Sequence, residues 1–182
     1  LRMRLTVCGS DEPHPDVADG CNNIGSVCDN VGKYPEALEE FEKALTMRLA
    51  VHGTENPHPE VADSYNKMGD VHESMEKYPE ALAEFEKGFA LRLAVHGKEK
   101  PHPDVAESHN KMGDVYESLE KHPEALAEFE KALRIRLAVH GKEKARPDVA
   151  ESHNNIGSVC ENMGKYPEAL AEFEKALTIR LA

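Results

Sequence analysis

Residues 58–97 read HPEVADSYNKMGDVHESMEKYPEALAEFEKGFALRLAVHG, and this segment decides the fold. A first helix is predicted to begin at Pro59, because proline suits a first helical position and Glu60 suits the positive end of the helix dipole. Side chains of a packing stripe then recur at helical spacing at Val61, Ala62, Tyr65, Met68, Gly69, His72 and Met75. We call this element helix A.

A second helix, helix B, follows in the same segment. Residues 77–78 form a short connection, and Pro79 opens the helix as Pro59 opens the first. Gly97 provides a C-terminal stop, and the polar residues 98–102 lead on to the next proline. The apolar stripe of helix B consists of Ala81, Leu82, Phe85, Gly88, Phe89 and Leu93.

The same pattern recurs every 44 residues along the 182-residue chain. Four registers share this period, namely Pro15, Pro59, Pro103 and Pro147; Gly25, Gly69, Gly113 and Gly157; Phe41, Phe85, Phe129 and Phe173; and Arg48, Arg92, Arg136 and Arg180. A fixed period without insertions predicts one array of antiparallel helix hairpins. We divide it into the end of a preceding helix B at 1–9 and repeats at 13–53, 57–97, 101–141 and 145–182.

Each predicted helix A contains an interior glycine, represented by Gly69. Such a glycine costs about 1 kcal/mol relative to alanine. We expect that the missing side chain lets helix B of the same repeat approach closely. The small residues Ala37 and Ala81 on helix B fit this contact.

A family resemblance rests on two sets of residues. Met68-Gly69, His72, Tyr78, Ala81, Phe85 and Gly88 resemble the tetratricopeptide consensus of small and large residues, with Ala44, Ala132 and Ala176 in place of Gly88 in the other repeats. Even closer is the resemblance to the longer repeats of kinesin light chains and nephrocystin-type proteins, carried by His58 to Ala62, Asn66, Lys77-Tyr78 and Arg92.

The resemblance covers the whole chain and implies both a fold and a protein-binding function. It implies an all-α, right-handed α-solenoid of about four 44-residue repeats, whose A helices line a concave groove. It also implies a scaffold or adaptor that binds other proteins. The motor role of kinesin light chains is not implied, because the sequence contains no heptad coiled coil.

Charge and composition exclude several partner classes. The chain carries 22 basic and 34 acidic residues, a net charge of -12, which argues against nucleic acid and against an anionic membrane. No stretch approaches the roughly 20 apolar residues that span a bilayer, and no apolar signal run follows Leu1 to Leu5. We predict a cytoplasmic protein. The cysteines, expected to be buried thiols in a reducing compartment rather than metal ligands, are Cys8, Cys21, Cys28 and Cys160.

Candidate peptide-binding residues are the helix A positions that avoid the packing stripe. This surface is acidic and has one asparagine in each repeat. The candidates are Asp19, Asn22, Asp29, Asp63, Asn66, Asp70, Glu73, Glu107, Asn110, Asp114, Glu117, Glu151, Asn154 and Glu161.

This surface suggests a way of binding. A side-chain amide both donates and accepts hydrogen bonds, so the four asparagines can pair with the backbone of an extended peptide. The carboxylates would then select a segment rich in Lys or Arg. The alternative is a solvated acidic face, on which asparagine recurs only because the repeat was duplicated.

Histidines recur at the junctions between repeats. His52, His96 and His140 precede a glycine, and His14, His58 and His102 precede a proline, so two rings at a junction can meet and could hold a metal. We favour capping of the helix ends, because Arg146 replaces the histidine at the last junction. We assign no metal and no cofactor.

Two functions from different classes remain. We predict no enzyme, because acids and histidines recur once per repeat instead of converging on one place, and the sequence has no phosphate-binding loop or serine elbow. The first function is a scaffold that binds a peptide in the helix A groove. The second is a self-associating array that stacks end to end through uncapped terminal helices.

Overall fold

The computed structural model describes residues 14–54, 56–97, 100–140 and 146–181. These residues form helices and connections without a strand, which confirms the predicted all-α fold of antiparallel hairpins. The helices are α1 (Pro15–Asn30), α2 (Tyr34–His52), α3 (Pro59–Ser74), α4 (Tyr78–His96), α5 (Pro103–Ser118), α6 (His122–His140), α7 (Pro147–Asn162) and α8 (Tyr166–Leu181). The predicted helix end at 1–9 lies outside the described residues. None of the described helices is long and apolar enough to cross a membrane.

The A helices begin at the predicted prolines, whereas α4 begins at Tyr78, one residue before the predicted start at Pro79. His14, His58 and His102 precede α1, α3 and α5, and in each case Nδ1 accepts a hydrogen bond from the backbone N–H two residues later, at 3.2, 3.3 and 3.2 Å. This confirms the capping interpretation of these three histidines. Arg146, which precedes α7, makes no side-chain cap. Gly97 has a φ of 87° and ends α4 as predicted.

The interior glycines leave room for an aromatic ring from the other helix of the same hairpin. A Cβ at Gly69 would lie 2.5 Å from Cε1 of Phe85 on α4. At Gly25 and Gly157 the same distance, to the corresponding phenylalanine ring of the same hairpin, would be 2.8 and 2.7 Å. The expected partner was a small residue such as Ala81. The structure corrects this, because the aromatic ring fills the space that the glycine leaves.

The chain forms two compact units, 1–95 and 96–182. In the first unit α2 contacts both α1 and α3. Its core contains the buried residues Ala37, Phe41, Met68 and Val71. In the second unit α6 contacts α5 and α7, and α7 also contacts α8. Its core contains Ala125, Phe129, Ile156, Val159, Cys160 and Ala169.

Candidate functional site

A buried arginine connects helices in the first unit. Arg48 of α2 is 7% exposed. Its Nη1 donates to the carbonyl oxygen of Glu60 at 3.1 Å and to Oγ of Ser64 at 2.8 Å, both on α3. Its Nη2 donates to Oδ1 of Asp19 on α1 at 3.1 Å. A charge as buried as this one is stabilised only when several hydrogen bonds replace its water.

Arg136 of α6 repeats this arrangement in the second unit. Nη1 donates to the carbonyl oxygen of Asp148 at 2.6 Å and to Oγ of Ser152 at 2.7 Å, both on α7. Nη2 lies 3.4 Å from Oε2 of Glu151. With the amide oxygen of Asn110 facing the guanidinium, Oδ1 also accepts from Nη1 at 3.1 Å and from Nη2 at 2.6 Å.

Two of the four predicted asparagines are not on the open surface. Asn66 and Asn110 are only 8% and 6% exposed, so the expectation that both present their amides to a peptide is corrected. The physical reason is the close approach of helix B. A Cβ at Gly88 would lie 2.7 Å from Oδ1 of Asn66, and Arg136 covers Asn110. Asn22 and Asn154 are half-buried.

A cleft of about 440 Å³ lies among α5, α6 and α7 in the second unit, and we call it the acidic cleft. The cleft brings together four of the predicted site residues, which are Glu107, Asn110, Asp114 and Glu151. Its other lining residues are Pro103, Asp104, Lys111, Arg136, Val139 and Asp148. Five carboxylates therefore face two basic groups.

The remaining candidates are spread over the A helices. Glu117 of α5 accepts hydrogen bonds from Ser158 at 3.4 Å and from Asn162 at 2.9 Å, both on α7. Glu161 on α7 is exposed. In the first unit Asp63 is exposed and lies 3.2 Å from Nη2 of Arg92, while Asp29, Asp70 and Glu73 are half-buried.

Asp29 is a predicted site residue whose ionisation is disturbed by its surroundings. Burial raises the pKa of its carboxyl group, and the charge of Asp70 raises it further, while Lys67 acts in the opposite direction. Asp29 lies on α1, and Asp70 and Lys67 lie on α3. The A helices of the first unit therefore bring like charges together.

In the second unit, a histidine–glutamate pair connects the two helices of each hairpin. Nδ1 of His109 lies 2.6 Å from Oε2 of Glu128, and His153 and Glu172 repeat this distance. Burial raises the pKa of Glu128, but its hydrogen bonds with His109 and Lys131 outweigh the burial, so that the net pKa is lowered. These pairs stabilise the hairpins and lie outside the acidic cleft.

The cysteines behave as packing residues where they are described. Cys21 and Cys160 are buried and Cys28 is half-buried. Burial, with a contribution from Glu40, raises the pKa of Cys21 to about 11. A thiol with so high a pKa is a poor nucleophile and metal ligand. Cys8 lies outside the described residues.

The polar network around the arginines was missed at the level of sequence, although a signal was present. Arg48 recurs at the 44-residue period on the packing stripe of helix B, in line with Phe41 and Ala44. A charged residue at an inward position predicts buried polar partners. Ser64 and Ser152 occupy matching positions on the following A helices.

The tetratricopeptide repeat family matches this chain over residues 16–94, 60–138 and 104–182. No curated protein sequence matches the chain.

Solved structures share the fold. BtubC (BKLC) from P. vanneervenii has a TM-score of 0.82 and 24% identity, over 95% of this chain and 67% of that one. A putative kinesin light chain from Podosopora anserina with nearly identical TPR-like repeats has a TM-score of 0.77 and 17% identity, over 97% and 81% of the two chains. MamA has a TM-score of 0.66 and 20% identity, over 98% and 84%.

Proposed function

Because this chain belongs to the tetratricopeptide repeat family, we propose that it is a protein-interaction scaffold whose A helices hold an extended peptide segment rich in Lys or Arg. The proposal concerns binding and includes no catalytic step. The single observation that carries it is the acidic cleft.

The charge balance of the acidic cleft favours a cationic ligand. Asp104, Glu107, Asp114, Asp148 and Glu151 face Lys111 and Arg136. Arg136 is buried and already donates to oxygens of the protein, so it offers little to an anionic ligand. A cluster of carboxylates within a concave surface concentrates the field and attracts cations.

The first unit provides independent support. The charge of Asp70 contributes to the raised pKa of Asp29, which means that the two carboxylates destabilise each other when both are ionised. A Lys or Arg side chain bound beside them would relieve this repulsion. The opposite ligand, an acidic peptide, would increase it.

The asparagines have a smaller part in the proposal than the sequence suggested. Asn66 and Asn110 are assigned a structural role, because both are almost fully buried. Asn22 and Asn154, which are half-buried, are kept as contacts for the backbone of a bound peptide.

The test is a binding titration by fluorescence anisotropy with labelled Lys/Arg-rich and Asp/Glu-rich peptides of equal length. The Lys/Arg-rich peptide is expected to bind, with an affinity that falls as salt rises. The double variant Glu107→Gln/Asp114→Asn should weaken binding by roughly 0.4 to 2 kcal/mol, because an exposed ion pair contributes about 0.2 to 1 kcal/mol.

The matched control is Glu124→Gln/Glu130→Gln, which removes the same charge from exposed positions of α6 that do not line the acidic cleft. Equal weakening by both double variants would show that only net charge matters and would reject the cleft as the binding site. Preference for the Asp/Glu-rich peptide would reject the ligand class.

Self-association is a second candidate function, and one observation favours it. Val27 and Val71 occupy the same register position on α1 and α3. Val71 is fully buried in the core beside Ala37 and Phe41, whereas Val27 is 62% exposed. Leu170 and Leu177 of α8 are also largely exposed. Apolar side chains of this kind favour a contact between copies of the chain.

Light scattering coupled to size-exclusion chromatography tests this candidate over a wide range of protein concentration. A mass that stays at 20.2 kDa would reject self-association. A mass that grows with concentration, and that Val27→Lys returns to the monomer value, would support it.

A further inference from the structure

Two clusters of imidazole and carboxylate groups lie at repeat junctions. The first contains His52, His58 and Glu60, and the second contains His96, His102 and Asp104. In each cluster one nitrogen or oxygen atom from every residue lies within 4.8 Å of the others. We propose that each cluster binds one divalent transition-metal ion, represented by Zn²⁺, through two imidazoles and one carboxylate.

The geometry is the same in both clusters. The ring centroids of His52 and His58 are 3.4 Å apart with an interplanar angle of 9°, and Nε2 of His52 lies 3.1 Å from Oε2 of Glu60. In the second cluster the rings are also 3.4 Å apart at 9°, and Nε2 of His96 lies 3.1 Å from Oδ2 of Asp104. The fold therefore builds this arrangement twice, with Glu in one copy and Asp in the other.

The ligand set and its reach fit such an ion. Imidazole and carboxylate groups are ligands of Zn²⁺, with metal–nitrogen and metal–oxygen distances of about 2.0 to 2.2 Å. Neighbouring ligands of a tetrahedral ion are then roughly 3.3 Å apart, close to the separation between His52 and Glu60. All three residues of the first cluster are partly exposed, so an ion and a completing water can enter.

Metal binding requires a local rearrangement of the rings. The nitrogen lone pairs of two parallel, stacked rings do not converge on one ion, so at least one ring must turn about its Cβ–Cγ bond. Rotation about this bond has broad minima, so such a turn is permitted. A neutral imidazole has one nitrogen lone pair, and that of His58 now caps α3 by accepting from the Glu60 amide at 3.3 Å. The ion takes over this lone pair, and the proton on Nε2 of His52 moves to Nδ1. The bound ion thus replaces the cap at the start of α3.

The test counts Zn²⁺ ions bound per chain by equilibrium dialysis. The variant His58→Asn/His102→Asn removes one imidazole from each cluster and keeps a side chain that caps helices well. We expect it to bind two fewer Zn²⁺ ions per chain than the wild type, and each single variant to bind one fewer. Zn²⁺ should also raise the melting temperature of the wild type more than that of the double variant.

The matched control is His109→Gln/His153→Gln, which removes two histidines outside the clusters. It should bind as many ions as the wild type. The proposal is overturned if the wild type binds no Zn²⁺, or if His58→Asn/His102→Asn binds as many ions as the wild type while circular dichroism shows that both are folded. Equal loss in the control variant would also overturn it, because the ions would then bind histidines in general.

Discussion

A Cβ atom at Gly113 would lie 2.6 Å from Cε1 of Phe129, on the facing helix of the same hairpin. The aromatic ring and the glycine therefore form one contact, and a side chain at position 113 would require the ring of Phe129 to shift. Both lie in the packed interior, where Phe129 is fully buried.

We expect Gly113→Ala to lower the free energy of unfolding by about 1 to 3 kcal/mol through overpacking, although alanine is the better helix former. Urea unfolding followed by circular dichroism measures this change. In the double variant Gly113→Ala/Phe129→Leu the smaller side chain should make room, so the combined loss should be less than the sum of the two single losses. Strict additivity would count against the contact.

Asn110→Ala should lower the free energy of unfolding by roughly 1 to 3 kcal/mol, because Arg136 loses an acceptor in a buried place. The equivalent substitution Asn154→Ala serves as the control. Asn154 is half-buried, and Arg180, the counterpart of Arg136, is exposed, so the effect there should be smaller. Thermal melts of both variants compare them directly, and equal shifts would argue against a special role for Asn110.

Asp29→Asn should raise the melting temperature at pH 7, with a gain in stability of no more than about 1 kcal/mol. The pKa of Asp29 is raised in the folded protein by burial and then by Asp70, so the folded state holds the proton more tightly than the unfolded chain. Ionised Asp29 therefore lowers stability, and this penalty disappears as the pH falls below the unfolded value of about 3.9. Melting curves from pH 7 to pH 3.5 should show the two proteins converging.

The opposite sign is expected for Asp63→Asn, because this carboxylate lies 3.2 Å from the buried Arg92. If both substitutions destabilise the chain at pH 7, the interpretation of Asp29 is wrong.

Glu128→Gln should lower the free energy of unfolding at pH 7 by about 1 to 3 kcal/mol, through weaker hydrogen bonding with His109 and Lys131. The pKa of Glu128 is lowered in the folded state, so its carboxylate stabilises the protein above the unfolded value of about 4.3. That stabilisation is lost as the pH falls through the folded pKa. Urea unfolding at several pH values should show the difference from the wild type shrinking in acid.

Glu130→Gln, at an exposed position on the same helix, should change stability little at any pH. A constant difference between the wild type and Glu128→Gln from pH 7 to pH 3.5 would contradict the assigned role of the charge.

Helix positions could be predicted from the sequence because the chain marks them four times. Pro59 and its equivalents stand at first helical positions. Their recurrence at a fixed 44-residue period excludes a chance pattern. The glycine at position 97 predicts a helix end, because glycine readily adopts the positive φ of 87° that the structure shows there. Signals of this kind are local, so they do not depend on how the helices pack.

The burial and the contacts of the candidate site residues could not be predicted in the same way. Asn66 falls outside the apolar stripe by helical spacing, yet the approach of α4 at Gly88 buries it. Spacing along one helix does not determine how closely its neighbour lies. The contact of Arg48 with Ser64 likewise could not be predicted from spacing, because the two residues lie on different helices and are 16 residues apart in sequence.

The contact between Arg48 and Ser64 at 2.8 Å has a counterpart between Arg136 and Ser152 at 2.7 Å, with the same separation in sequence. Because the partners at these two junctions are alike, a gene that lost one 44-residue unit between them by unequal recombination would encode a protein in which the arginine at the new junction still meets a serine. The length of such a chain can therefore change in evolution by whole units, while its helices keep the partners they need.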